Sequence, residues 1–133
     1  MYQPGRFTHQ GVLFPKNPPV SYPGVIDGKM WDREALLANM QPALGFARRY
    51  RVQMYVGEFS AARWAPGADR YLADATSIFE EQGWDWSYHA FREWQGWSLE
   101  LGDDANDLAP AAVPAARFEV IESLLKLNQP PAN

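Results

Sequence analysis

The sequence predicts an α/β fold with parallel strands, and three observations carry that expectation. A helical apolar stripe over 32–50 runs into a β-branched and aromatic stretch at 52–58, a second helical stripe covers 68–82, and a strand-like alternation follows at 84–91. Strands separated by helices pair in parallel, because the chain must cross back over the sheet before adding its next strand. At 133 residues the chain has the length of one core, so 1–133 is read as a single domain.

The elements follow in order. Residues 1–31 carry Pro4, Pro15, Pro18, Pro19 and Pro23, with Gly5, Gly11, Gly24 and Gly28 between them, which forbids a long helix and disfavours a central strand. They are read as loop, with residues 1–3 the one place for a third strand. A loop of that length in a small domain is expected either to line a functional site or to mark a chain that begins partway through a larger design. Over 32–50, Leu36, Leu37, Met40, Leu44 and Ala47 fall on one helical face, and Arg48, Arg49 and Arg51 sit where the helix dipole favours cations. Pro42 interrupts this helix and is expected to kink it or open a second one at its first turn.

The strand at 52–58 reads as buried, and it delivers Glu58 to its carboxyl end directly after Gly57. A carboxylate there is costly unless it is used or paired. In parallel sheets and barrels, the loops beyond that end form the mouth in which chemistry is placed. The helix at 68–82 turns Leu72, Ala75, Ile78 and Phe79 inward, and Gly83 supplies its left-handed cap. The strand at 84–91 puts Trp86, Tyr88 and Ala90 on one face and Asp85, Ser87 and His89 on the other. Residues 92–114 read as loop, 115–127 as a last helix through Phe118, Ile121, Leu124 and Leu125, and 129–133 as a fraying tail.

Composition excludes several functions. A net charge of −4 and an isoelectric point near 5.1 leave no basic face for nucleic acid or an anionic membrane. The absence of cysteine removes disulfides, thiolate metal sites and a cysteine nucleophile. Asp103, Asp104 and Asp107 miss the spacing of a calcium-binding loop and read as a solvated acidic stretch, so no metal or other cofactor is expected. Residues 1–4 begin no basic-then-apolar leader, so as written the chain reads as cytoplasmic or as a mature fragment. Aromatic residues make up 14% of the chain, which hints at ring faces left for a ligand.

Three segments, taken together, carry a resemblance. Tyr2-Gln3-Pro4 with Phe7-Thr8-His9-Gln10-Gly11, then Tyr55-Val56-Gly57-Glu58-Phe59-Ser60, then 84–94 from Trp84 through His89 to Trp94, resemble the last three strand–helix units of the family 5 glycoside hydrolases. These are cellulase-like (β/α)8 barrels, so the resemblance implies a partial TIM barrel and a retaining hydrolase acting on a β-linked glucan or oligosaccharide. It implies that Glu58 is the nucleophile and that Tyr2 contacts it. His89 stands where many members carry a sugar-stacking tryptophan, a role that Trp94 or Trp97 would then take, and His9 is expected to line the mouth.

Retaining hydrolysis needs two carboxyl groups roughly 5 Å apart. The family's acid follows an asparagine, and no Asn-Glu pair occurs in this sequence. Glu93 is the nearby carboxyl promoted to acid. The alternative is a catalytically inactive carbohydrate-binding or barrel-assembly fragment with Tyr2, Trp64, Trp94 and Trp97 as its sugar platform. Two strands with open edges further predict a homo-oligomer.

Overall fold

The computed structural model describes residues 1–128, so the expected fraying of 129–133 lies outside it. The proline-rich start is not all loop. Gly5–Thr8 forms a short helix, α1, and Gly24–Ile26 (β1) pairs antiparallel with Lys29–Trp31 (β2). Asp27 and Gly28 turn this hairpin with φ of 51° and 78°. Two consecutive positive φ values suit a tight hairpin turn, and Asp-Gly is among the dipeptides that reach them at low cost. Residues 1–3 take no strand.

The broken helix forms as its sequence requires. Asp32 caps α2 (Arg33–Asn39) by accepting from the Ala35 amide at 2.9 Å. Pro42 falls in the first turn of α3 (Gln41–Tyr50), where a missing amide proton costs nothing. Leu36, Met40 and Leu44 are buried, while Leu37 and Ala47 are half-buried. Arg51 then takes a left-handed conformation at the carboxyl cap, so strand pairing begins at β3 (Tyr55–Phe59) and not at 52.

Helix α4 (Ala68–Glu81) buries Tyr71, Leu72, Ala75, Ile78 and Phe79, and Gly83 turns the chain with φ 64° into β4 (Asp85–Tyr88). Strands β3 and β4 pair in parallel, as expected of strands joined through a helix. Their register runs Tyr55 to Asp85 and Val56 to Trp86, then slips before Phe59 meets Tyr88. That irregularity leaves Gly57 and Glu58 out of the ladder, and the Ser87 hydroxyl donates to the freed Gly57 carbonyl at 2.6 Å.

The expectation of a buried strand fails for β3. Phe59 is fully buried against Phe79, Trp86 and Tyr88, yet Tyr55 is 65% exposed and Glu58 stands in solvent. The cause is topological: β3 and β4 form a two-stranded sheet packed against α4, and no described strand borders either edge.

Residues 92–114 are irregular apart from a 3-10 turn at Gln95–Trp97 and a bridge between Leu101 and Pro110, and α5 (Ala116–Leu125) closes the described chain. Two buried arginines hold this segment. Arg63 donates to the carbonyls of Gln95, Gly102, Asp104, Ala105 and Asp107. Arg117 donates to Ser98 and Leu101 and pairs with Asp103 at 3.1 Å. The guanidinium of Arg63 occupies the centre on which this acidic loop converges. Among the described residues, no cluster of carboxylates and histidines is set to hold a metal ion, and no helix is long and apolar enough to cross a membrane.

Candidate active site

Glu58 leaves the carboxyl end of β3 with its side chain 59% exposed, and three of the residues singled out in the sequence gather around it. The Tyr2 hydroxyl lies 3.4 Å from Glu58 Oε2 and 2.5 Å from His89 Nδ1. His89 Nδ1 is itself 3.6 Å from Glu58 Oε2, while its Nε2 meets Glu93 Oε2 at 2.5 Å. Glu58 and Glu93 therefore engage opposite nitrogens of one imidazole. His89 follows β4 directly, and its peptide to Ala90 is cis. Arg92, next to Glu93 in sequence, pairs instead with Glu100 at 2.8 Å.

Trp97 is the floor of this group. Tyr2 stacks on it, His9 and Trp94 meet it edge-on, and His89 tilts against it. Trp94 and Trp97 are both half-buried. The reason is the crowding of Tyr2, His9 and His89 onto the Trp97 ring. Trp64 packs edge-on to Trp94 and donates its indole proton to the Gln10 carbonyl at 2.8 Å.

Burial raises the Tyr2 hydroxyl well above the ordinary tyrosine range, with the charge of Glu58 adding to it, so Tyr2 keeps its proton as a donor. Burial lowers His9, which favours the neutral ring. The chain's amino group is lowered by burial too, against a smaller upward pull from Glu58.

Several supporting residues were not singled out in the sequence. Ser60, fully buried just after β3, donates to the Tyr88 hydroxyl at 2.9 Å, and Tyr88 donates to the Trp97 carbonyl at 2.7 Å. Burial holds Tyr88 protonated. The Arg63 amide anchors the Gly96 carbonyl at 2.8 Å, and a Cβ on Gly96 would fall 2.0 Å from the Trp94 ring. The supporting roles of Ser60 and Gly96 carry no signal in the sequence, because a serine or glycine near a strand or turn is common and only the packed indoles make these positions special.

A groove of about 490 Å³ runs along the open side of β3 past Tyr2, Met54, Tyr55 and Glu58, within the range that holds small ligands. Its walls are mostly apolar, with Glu58 the carboxylate on it.

No protein-family model matches the chain, and no curated protein matches its sequence. Solved structures do. A glycoside hydrolase superposes with a TM-score of 0.72 at 22% identity, over 94% of this chain and 38% of that one. A hyperthermophilic endo-β-1,4-glucanase in complex with substrate matches at 0.61 and 28% identity, over 74% of this chain and 32% of that one. Cel5A of Thermotoga maritima in complex with cellobiose matches at 0.63 and 18% identity, over 90% of this chain and 36% of that one. The fold is thus like that of glycoside hydrolases. Among these the likeness is to cellulase-like endoglucanases, the resemblance read in the sequence, and the chain spans about a third of the length of these structures.

Proposed function

We propose that the chain is a family 5 glycoside hydrolase-like protein that acts on β-linked glucan as endoglucanases do, with Glu58 as the nucleophile of a retaining mechanism. The fold is assigned as a partial barrel, the last three β/α units of a TIM barrel. The observation that carries this reading is the placement of Glu58: it stands in solvent at the carboxyl end of a parallel strand, beside a groove of ligand size, with the Tyr2 hydroxyl within reach.

In the first step the Glu58 carboxylate attacks the anomeric carbon, the glycosidic C–O bond breaks, and the leaving oxygen takes a proton from an acid. Water then attacks the anomeric carbon, giving a proton back to the deprotonated acid, and the sugar–Glu58 bond breaks to restore the carboxylate. Glu93 is assigned the acid, exposed beside His89. Tyr2, His9, His89, Trp94 and Trp97 are assigned to substrate binding, the half-buried indoles offering edges and partial faces to the sugar ring. No cofactor is required for these steps.

A second reading is supported by one specific arrangement. Glu58 and Glu93 contact opposite sides of an imidazole, whereas a retaining pair faces a shared bond across roughly 5 Å. This favours a catalytically inactive carbohydrate-binding or barrel-assembly fragment. Turnover of carboxymethyl-cellulose by the purified chain, compared with Glu58→Gln, separates the two. Hydrolysis lost in the variant supports the enzyme, and oligosaccharide binding with no turnover in either protein supports the binder.

A further inference from the structure

Two acceptors compete for one proton at the centre of this site. The Tyr2 hydroxyl carries a single hydrogen, and both His89 Nδ1, at 2.5 Å, and Glu58 Oε2, at 3.4 Å, stand ready to receive it. Which of them does so depends on the imidazole, because a neutral ring has one N–H and one bare nitrogen. Glu93 Oε2 lies 2.5 Å from Nε2, and an ionised carboxylate only accepts. A neutral His89 must then place its proton on Nε2, toward Glu93. Nδ1 is left bare and draws the Tyr2 proton, so Glu58 has no donor aimed at it from either neighbour.

Protonation of the ring inverts the arrangement. Both nitrogens then donate, Nδ1–H points at the Tyr2 oxygen, and the Tyr2 hydrogen is free to rotate onto Glu58. We propose that His89 is a positioning residue for Glu58: anchored by Glu93, it decides whether the Tyr2 proton rests against the imidazole or on the Glu58 carboxylate. His89 does not itself serve as the acid, since both of its nitrogens are engaged.

The surroundings leave few other groups able to do this. Glu58 reaches the ring from β3, Tyr2 from the start of the chain, and Glu93 from the segment after β4. The chain's amino group lies near enough to Glu58 to feel its charge, and His9 lies across Tyr2 and Trp97 from His89. Arg92 is occupied by Glu100. Trp97 covers a face of the imidazole at 5.1 Å between centroids and offers it no proton acceptor.

The consequence for turnover rests on Glu58 being the nucleophile. A carboxylate oxygen that accepts a hydrogen bond is a weaker nucleophile than a free one, so with Glu93 ionised neutral His89 frees Glu58 and protonated His89 quenches it. A Glu93 that carries the acid's proton donates it to Nε2 and, like protonated His89, turns the Tyr2 hydrogen onto Glu58. The arrangement of protons does not depend on that reading.

The test uses the full chain labelled with 15N-histidine and 13C-carboxyl glutamate, followed by NMR as pH falls through the His89 transition. In the unsubstituted chain the neutral ring is expected as the Nε2–H form alone, and the Glu58 carboxyl resonance moves in step with His89. Tyr2→Phe, which keeps the ring on Trp97, should remove the proton-dependent part of that movement and leave only the direct effect of the imidazolium charge. Glu93→Gln should release the tautomer, so that both neutral forms appear. A Glu58 resonance that stays still through the His89 transition, or that moves equally in Tyr2→Phe, overturns the proposal. A chain without hydrolytic activity would defeat the proposed function while leaving this measurement decisive. In an active chain, the acid limb of kcat should be altered in Tyr2→Phe and Glu93→Gln by loss of its coupling to His89.

Discussion

Tyr2 lies face to face with Trp97, ring centroids 5.1 Å apart and planes inclined by 22°. The indole assigned to sugar binding also positions the tyrosine that touches Glu58. Removing it should act through packing, because the Tyr2, His9, His89 and Trp94 rings all lose a neighbour. Trp97→Ala is expected to destabilise the chain by about 3 kcal/mol in urea unfolding, in the range of large-to-small changes at packed sites. It should also abolish the near-ultraviolet dichroism of the cluster. A stability change no larger than that of an ordinary surface substitution would show that the indole carries no structural load.

Glu58 should behave in the opposite way. Its side chain is 59% exposed and outside the β ladder, so Glu58→Gln should leave stability within about 0.5 kcal/mol, as for other surface changes. Hydrolysis of carboxymethyl-cellulose should vanish in the same variant. Unaltered turnover would end the nucleophile assignment, and a protein that unfolds would make Glu58 structural.

His9 predicts a pH dependence of stability. Its folded value is lowered, chiefly by burial among Tyr2 and Trp97, from an unfolded value of about 6.5. Below that value the unfolded chain binds the proton more readily than the folded one, so stability falls with falling pH. The contribution of His9 is therefore complete above about pH 6.5 and is lost as pH drops from there toward the folded value. Denaturation midpoints in the His9→Asn variant should decline less steeply over that window. Equal slopes for the two proteins would remove His9 as the cause.

How much of this was legible in the sequence differs from element to element. Helix α3 and its proline start, α4 with its Gly83 cap, and the parallel β3–β4 pair all rest on local periodicity and backbone chemistry, and each forms as the residues require. The hairpin at β1 and β2 was also written locally, in Asp27-Gly28, but its strands are three residues each and sit among prolines that argue for loop. The start of β3 moved because Arg51 took a left-handed cap that no pattern announces. The nearness of Tyr2 to Glu58 was implied by the resemblance, while the Glu93–His89 bond was not, since it depends on the path of the chain after β4. The arginine-held loop was illegible for a similar reason: Arg63 meets carbonyls some forty residues away, and carbonyls have no sequence signature.

That loop gives a further prediction. Arg63 is 1% exposed and satisfies carbonyl groups from Gln95 to Asp107. Arg63→Met keeps the volume and removes every donor, leaving those carbonyls unpaired, and should cost roughly 3 kcal/mol or more, as for other disrupted buried networks. Limited proteolysis should find new cleavage within 98–110. Arg92→Ala, which breaks the exposed pair with Glu100 and the contact of Arg92 with the exposed Phe91 ring, should change neither stability nor cleavage measurably. Equal behaviour of the two variants would refute the assignment of Arg63 as the organiser of the loop.

The open sheet predicts self-association. Strands β3 and β4 each pair on one side only among the described residues, and each free edge is flanked by apolar surface. Beside β3 stands Tyr55, 65% exposed, and α3 leads toward it with Phe46 and Tyr50 at 52% and 57%. Beside β4 lies a groove of about 440 Å³ lined by Trp86, Phe91, Leu99, Phe118 and Ile121, with Phe91 79% exposed. Unpaired strand edges next to apolar patches are templates for pairing with another chain, and copies of one chain satisfy both through closed symmetry. Sedimentation equilibrium should therefore give a mass that rises with concentration above that of one chain. Tyr55→Lys, which places a charge at the β3 edge, should shift the protein toward the monomer without unfolding it. A mass that stays near 15.1 kDa at every concentration would exclude the homo-oligomer, and hydrolysis by such a monomer would require the acid to come from the same chain as Glu58.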